Sequence, residues 1–288
     1  MFKGGLRKSE TWIEENLAHF QIGKGSDNIK IIKLKPLSEL LLALYICRSK
    51  VNPKVLHRIA SWAWGECEQG DLLFRILMAK PDIYRLATTL YLFKQLGFEN
   101  YRLSKLLEEI SRMQIFGAVE GEAWINIATD FAVSRLLCRE ENLELYDNSF
   151  LFKKPEPWVL SEQSVYAVTH EVFYATDFGA RDAVLTPDVK EYLVNWAPVW
   201  CQIYSEEANY DLVGELCIVL RCIGQVSMGR HWANSILVVQ QENGAVEGPE
   251  DAGQQFMLAI DADAAERAFY KNYHTTLVSM CMFAMYSD

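Results

Sequence analysis

Apolar positions recur along most of the chain at intervals of three and four residues, the spacing of one face of an α-helix. The segment from Ser9 sets Trp12, Ile13, Leu17 and Phe20 on such a face. Residues 30–35, KIIKLK, alternate instead and predict a short strand ahead of a helix that begins at Pro36. Asn52 followed by Pro53 marks a further helix start, since Asn caps and Pro suits the first turn. A helical pattern across residues 81–97 stops at Gly97, a residue that ends helices in a left-handed turn. Helical patterning resumes over 163–178, 187–204, 206–228, 230–242 and 263–286. The expected class is all-α, one helical domain with two halves, 1–150 and 160–288. They meet at the proline-bearing segment 150–162.

Composition narrows this picture. Half of the 288 residues are apolar, and Gly and Pro are sparse, which disfavours disorder and loop-rich β folds. The net charge of -10 disfavours nucleic acid and anionic membranes as partners. The seven cysteines form no CxxC and are read as thiols of a cytoplasmic protein. No apolar run reaches the length of a membrane span, and the N-terminus lacks a signal-peptide core. The run LVSMCMFAMY is read as a buried helix.

Three groups of residues carry candidate chemistry. The first lies in THEVFYATDFG. With Tyr166 at 0° on a helical wheel, His170, Tyr174 and Asp177 fall at about 40°, 80° and 20°. Thr169 and Phe173 flank this stripe, and the valines face away from it. Lys, Glu and Gln normally fill a solvated face, whereas Tyr, His and Asp are proton-handling groups. His170 is the expected general base, Asp177 its partner acid or cation stabiliser, and Tyr174 a hydrogen-bond donor. Asp177 also falls at the helix C-terminus, where the dipole disfavours a negative charge. The second group is the last helix, where Arg267, Tyr270, Lys271 and His274 lie within about 100° and would hold an anionic group. The third is the loop at Glu120, Glu122 and Trp124, with Glu120 a candidate acid and the other two binding residues. No GxSxG, P-loop, GxGxxG or HExxH motif is present. His170, Asp177 and His274 form an alternative metal triad, but neither metal nor cofactor is expected.

Two resemblances extend these readings. GAVEG occurs at 117–121 and again at 244–248. The second copy, in SILVVQQENGAVEGPED, resembles the helix–QxxxG–turn units of α/α-toroids such as terpene cyclases and protein prenyltransferases. Their DxDD and DDxxD motifs are absent, so the resemblance implies an architecture only: helical hairpins in an incomplete α/α-toroid around a central pocket.

The stretch YAVTHEVFYATDFG, with Tyr273–Leu277 near the C-terminus, resembles a bacterial all-helical family with a YxxTHxxFYxTDFG signature. Its members are often encoded in natural-product gene clusters. The resemblance covers the second half of the chain. The resemblance implies only a place in specialised metabolism; with the proton-handling stripe and the anion-holding face, the expectation is a cytoplasmic tailoring enzyme acting by acid–base catalysis on a small anionic or amino-acid-derived substrate, free or bound to a carrier protein. An intramolecular cyclisation, elimination or isomerisation fits best. A homodimer is the expected assembly where one forms. The rival expectations are a helical scaffold for a carrier or partner enzyme and a metal-dependent enzyme.

Overall fold

The computed structural model describes residues 1–113, 118, 120–181 and 185–287, apart from the side chains at 84, 85 and 255. Among the described residues every regular element is helical and no strand occurs. No helix among the described residues is long and apolar enough to cross a membrane. The chain falls into two compact units, Gln21–Ser149 and Met1–Phe20 with Phe150–Asp288.

The Gln21–Ser149 unit contains α2 (Asp27–Cys47), α3 (Pro53–Glu66), α4 (Asp71–Ala79), α5 (Ala87–Gln95), α6 (Tyr101–Arg112) and α7 (Ala123–Leu136). Residues 30–35 are part of α2, not a strand. Ser26 caps this helix by accepting from the Ile29 amide, and Asp27 suits the positive end of its dipole. Those start signals outweigh the local alternation, and Pro36 is carried inside the helix at the cost of one intrahelical bond. Asn52 caps α3 through the Lys54 amide with Pro53 in the first turn, as the sequence predicts. Gly97 is left-handed, and the Phe98 amide reaches the Phe93 carbonyl at 2.9 Å across the end of α5. Residues 81–86 form a 3-10 turn ahead of α5, so that helix is shorter than the pattern suggested.

The second unit contains α1 (Phe2–Glu15), a short α8 (Phe150–Lys153), α9 (Glu162–Thr176), α10 (Pro187–Glu206), α11 (Tyr210–Cys222), α12 (Val226–Val239), α13 (Gln254–Ala259) and α14 (Ala264–Tyr286). The first helix starts at Phe2 and not at Ser9, which is buried within it. Residues Asp211 to Leu220 of α11 are buried on every side. A helix apolar all round needs partners all round, and α11 packs against α9, α10, α12 and α14. The run from Leu277 to Phe283 lies in α14, and most of it is buried, as expected. Aromatic contacts tie α1 to α14: Trp12 stacks on Phe269 with centroids 5.7 Å apart, and Phe2 on Phe283 at 6.2 Å.

The turn after α12 is locked from inside. The Gln240 side-chain amide donates to the carbonyls of Gly5 and Gly244 and to the Ser9 hydroxyl, all within 3.1 Å. The two GAVEG copies differ in their surroundings. Gly117 and Val119 lie outside the described residues. A methyl group at Gly121 would meet only the Asn126 side chain, at 3.5 Å, whereas one at Gly248 would sit 2.2 Å from the Lys271 carbonyl oxygen. Gly248→Ala is therefore expected to cost about 2–3 kcal/mol and Gly121→Ala less than about 0.5 kcal/mol. Urea unfolding of both variants checks this, and equal losses would contradict the asymmetry.

Candidate active site

The polar residues of α9 and α14 converge on α11. Asp211 and Glu215 stand four residues apart, which places both carboxylates on one face of a buried helix. Tyr166 of α9 donates its hydroxyl to Asp211 Oδ2 at 2.7 Å. Thr169, one turn further, donates to Glu215 Oε2. Asn209, the cap of α11, donates to Glu162 Oε1 at 3.0 Å. Residue numbers rise together across these three contacts, so α9 and α11 run parallel.

Two histidines cover the carboxylates. His170 Nδ1 lies 3.6 Å from Glu215 Oε2, and His274 Nε2 lies 3.8 Å from Glu215 Oε1. His274 Nε2 is also 3.5 Å from Asp211 Oδ2. Glu215 thus has one imidazole at each oxygen. The His170 and His274 side chains keep 24% and 34% of their surface, against 3% for Glu215 and 6% for Asp211. The histidines are therefore reachable while the acids beneath them are not. His170 Nδ1 also lies 2.7 Å from the Tyr166 carbonyl. A carbonyl only accepts, so Nδ1 carries the proton and Nε2 is the basic nitrogen of the neutral ring.

The close approach of α14 depends on Gly214, between the two acids. A methyl group there would lie 2.8 Å from Val278 Cγ1. Val278 is one turn beyond His274, so the missing side chain lets α14 bring its imidazole over the acid pair.

Electrostatics follow from burial. Burial raises the Asp211 carboxyl, and the neighbouring Glu215 charge adds to this against the opposing pull of His274 and of the Tyr166 and Thr275 hydroxyls. Burial would raise Glu215 too, but the imidazoles of His170 and His274 and the Thr169 hydroxyl outweigh it and hold the group below its ordinary value. Burial and the two carboxylates push the Tyr166 hydroxyl far up, so it stays a donor. The seven cysteines are free thiols. Burial pushes Cys222 up to about 12, which removes it as a nucleophile at neutral pH.

The remaining sequence candidates are dispersed. Asp177 caps α9 in a left-handed conformation, two turns or about 10 Å along the axis from His170. It does not join the cluster around Glu215. Tyr174 is buried with its ring edge against Phe178, and Phe173 packs beside His170 at 5.8 Å. Arg267 is exposed and donates to the Ala262 carbonyl at the start of its own helix. Tyr270 is buried among Phe256 and Phe269, its hydroxyl 3.3 Å from the His19 carbonyl. Lys271 pairs with Glu247. The expected anion-holding face of α14 is therefore taken apart, with only His274 reaching the acids. Glu120, Glu122 and Trp124 belong to the Gln21–Ser149 unit. Glu120 is exposed there, and the Trp124 indole N–H donates to Glu122 at 2.6 Å.

Asp211 and Glu215 were not singled out in the sequence. Their signal is two acids four residues apart in YDLVGELCIVL, an otherwise apolar helix with no polar face to hold them. Glu171 is a further buried acid, accepting from the Leu151 amide at 2.8 Å. Tyr166→Phe removes the hydroxyl that Asp211 Oδ2 accepts from and should cost about 1–3 kcal/mol of stability. Chemical unfolding reads this directly, and a loss below about 0.5 kcal/mol would show that the contact carries no weight.

No curated protein and no solved structure matches the chain. Residues 6–284 match the family described as Domain of unknown function (DUF6895). That match runs across both helical units, and the chain belongs to the DUF6895 family.

Proposed function

We propose that the chain is a cytoplasmic acid–base enzyme acting on a small polar substrate, with His170 as the proton-transferring group. One observation carries the reading: Glu215, buried, has a partly exposed imidazole at each of its carboxylate oxygens. A carboxylate behind an imidazole fixes its orientation and stabilises the cation that forms when it takes a proton. His170 Nε2 would take the proton from an attacking heteroatom. That atom would displace a leaving group within the same molecule, and the proton would pass to the departing group or to water. His274 would serve as the second imidazole, and Tyr166 and Thr169 act through the carboxylates as positioning residues. The free thiols fit a reducing compartment.

The signature resemblance of Tyr166–Gly179 supports a place in natural-product tailoring, on a free or carrier-bound substrate. Within that signature, Tyr166, Thr169 and His170 serve the acid pair. Phe173 packs on the His170 ring, and Asp177 to Gly179 form the left-handed turn that ends the helix. The signature thus divides into a part that handles protons and a part that shapes the helix end.

The test replaces the chain by its His170→Gln variant in the native host and compares small-molecule extracts by mass spectrometry. A product of the parent strain should disappear. A precursor should accumulate at the same mass, for an isomerisation, or heavier by the eliminated group. The purified variant should melt within about 3 °C of the parent, which corresponds to about 1 kcal/mol for a chain of this size. An unchanged metabolite profile would overturn the proposal.

A further inference from the structure

We propose that Asp211, Glu215 and His274 hold one divalent first-row transition-metal cation. This goes beyond the acid–base reading, because His170 keeps its role with or without an ion.

Each of the three residues offers a donor atom, and these atoms lie within 4.8 Å of one another. His274 Nε2 faces Asp211 Oδ2 at 3.5 Å and Glu215 Oε1 at 3.8 Å. Both distances are longer than a good hydrogen bond. Donors about 2.1 Å from a shared ion stand about 3.0–3.4 Å from their neighbours and about 4.2 Å apart across it. His274 Nε2 stands within a few tenths of an ångström of that spacing from each of the two carboxylate oxygens.

A second observation points the same way. Asp211 is buried, and beside the Tyr166 and Thr275 hydroxyls that favour its charged form its Oδ1, the oxygen Tyr166 does not hold, makes no hydrogen bond of good geometry. Buried acceptors are rarely left so. The outer contacts are those of a ligand set already oriented, since Tyr166 grips Asp211 Oδ2 and Thr169 grips Glu215 Oε2. His170 is not a ligand through Nδ1, which donates to the Tyr166 carbonyl. Two carboxylates and a dication also balance in charge, which a buried site requires.

Two oxygens and one imidazole nitrogen form a harder donor set than thiolate sites and suit Mn²⁺, Fe²⁺ or Zn²⁺ over Cu⁺. Three protein ligands leave coordination positions for water or substrate.

The full chain, stripped with chelator, is dialysed against Mn²⁺ or Zn²⁺ separately. Bound metal is counted by elemental analysis and affinity measured by calorimetry. Close to one ion per chain is expected for at least one of the two metals. His274→Gln and Asp211→Asn should each weaken binding at least about 100-fold, while His170→Gln binds as the parent does. His274 is half-exposed, so its variant decides the matter if Asp211→Asn fails to fold. No stoichiometric uptake of either metal overturns the inference, as does uptake by His274→Gln equal to that of the parent. A metal-free protein whose His170→Gln variant still loses its product would sink this inference alone. A metal-binding protein with an unchanged metabolite profile would sink only the acid–base proposal.

Discussion

Two carboxylates buried four residues apart on α11 set the terms for the helices around them. Removing each ionised group from water costs several kcal/mol after the protein relaxes, and their mutual repulsion adds to it. Hydrogen bonds to a charged acceptor return about 1.5–3 kcal/mol each. The Tyr166 and Thr169 hydroxyls alone therefore do not offset the burial of two charges. The rest of the cost is met by a proton on the raised Asp211 carboxyl, by the imidazoles above, or by a cation between the acids. This is why proton-handling side chains occupy positions on α9 and α14 where an all-helical core would otherwise place Leu or Ala.

The backbone is shaped to the same end. Parallel α9 and α11 keep their registers matched over two turns, so that Glu162, Tyr166 and Thr169 meet Asn209, Asp211 and Glu215 in order. Gly214 lets α14 come close enough for a single histidine to face both acids. On the far side α14 is held by Trp12 of α1 stacked on Phe269 and by Phe20, in the turn after α1, edge-on to the same ring at 4.8 Å. The Gln240 turn pins the same α1 from α12. The first twenty residues thus belong to the unit that carries the site although most of the chain between lies elsewhere.

Much of the fold was legible because helix boundaries are written locally. Asn52–Pro53 and Gly97 act through groups within a few residues, and both behaved as read. KIIKLK misled because alternation over six residues competes poorly with the long helix that encloses it. The stripe on α9 was legible for Tyr166 and His170, and its extension to Asp177 was not. A wheel treats every turn as equivalent, while the acids of α11 lie beside only the first turns of α9, and the far end of α11 meets Thr176 and Gly179 through Cys222 instead. On α14 the wheel grouped Arg267, Tyr270 and Lys271 with His274, but their partners come from Ala262, from the aromatic cluster and from Glu247. Asp211 and Glu215 escaped notice because charged residues in a run are usually assigned to a wet face. Only the packing of four helices around α11 shows that it has none.

A buried ionic cluster is weak evidence for stability, since well-packed apolar residues of similar volume usually serve as well or better. The α11 acids have apolar neighbours on both sides in sequence, so an apolar pair would complete the helix without strain. The arrangement also leaves its histidines partly open to solvent, which screens their charge and weakens whatever stabilisation they lend. A purely structural cluster would gain by closing over them. Buried acids beneath reachable imidazoles are disposed instead to meet something arriving from outside, whether a substrate proton or a metal ion, and this disposition is the strongest reason to read the cluster as a site.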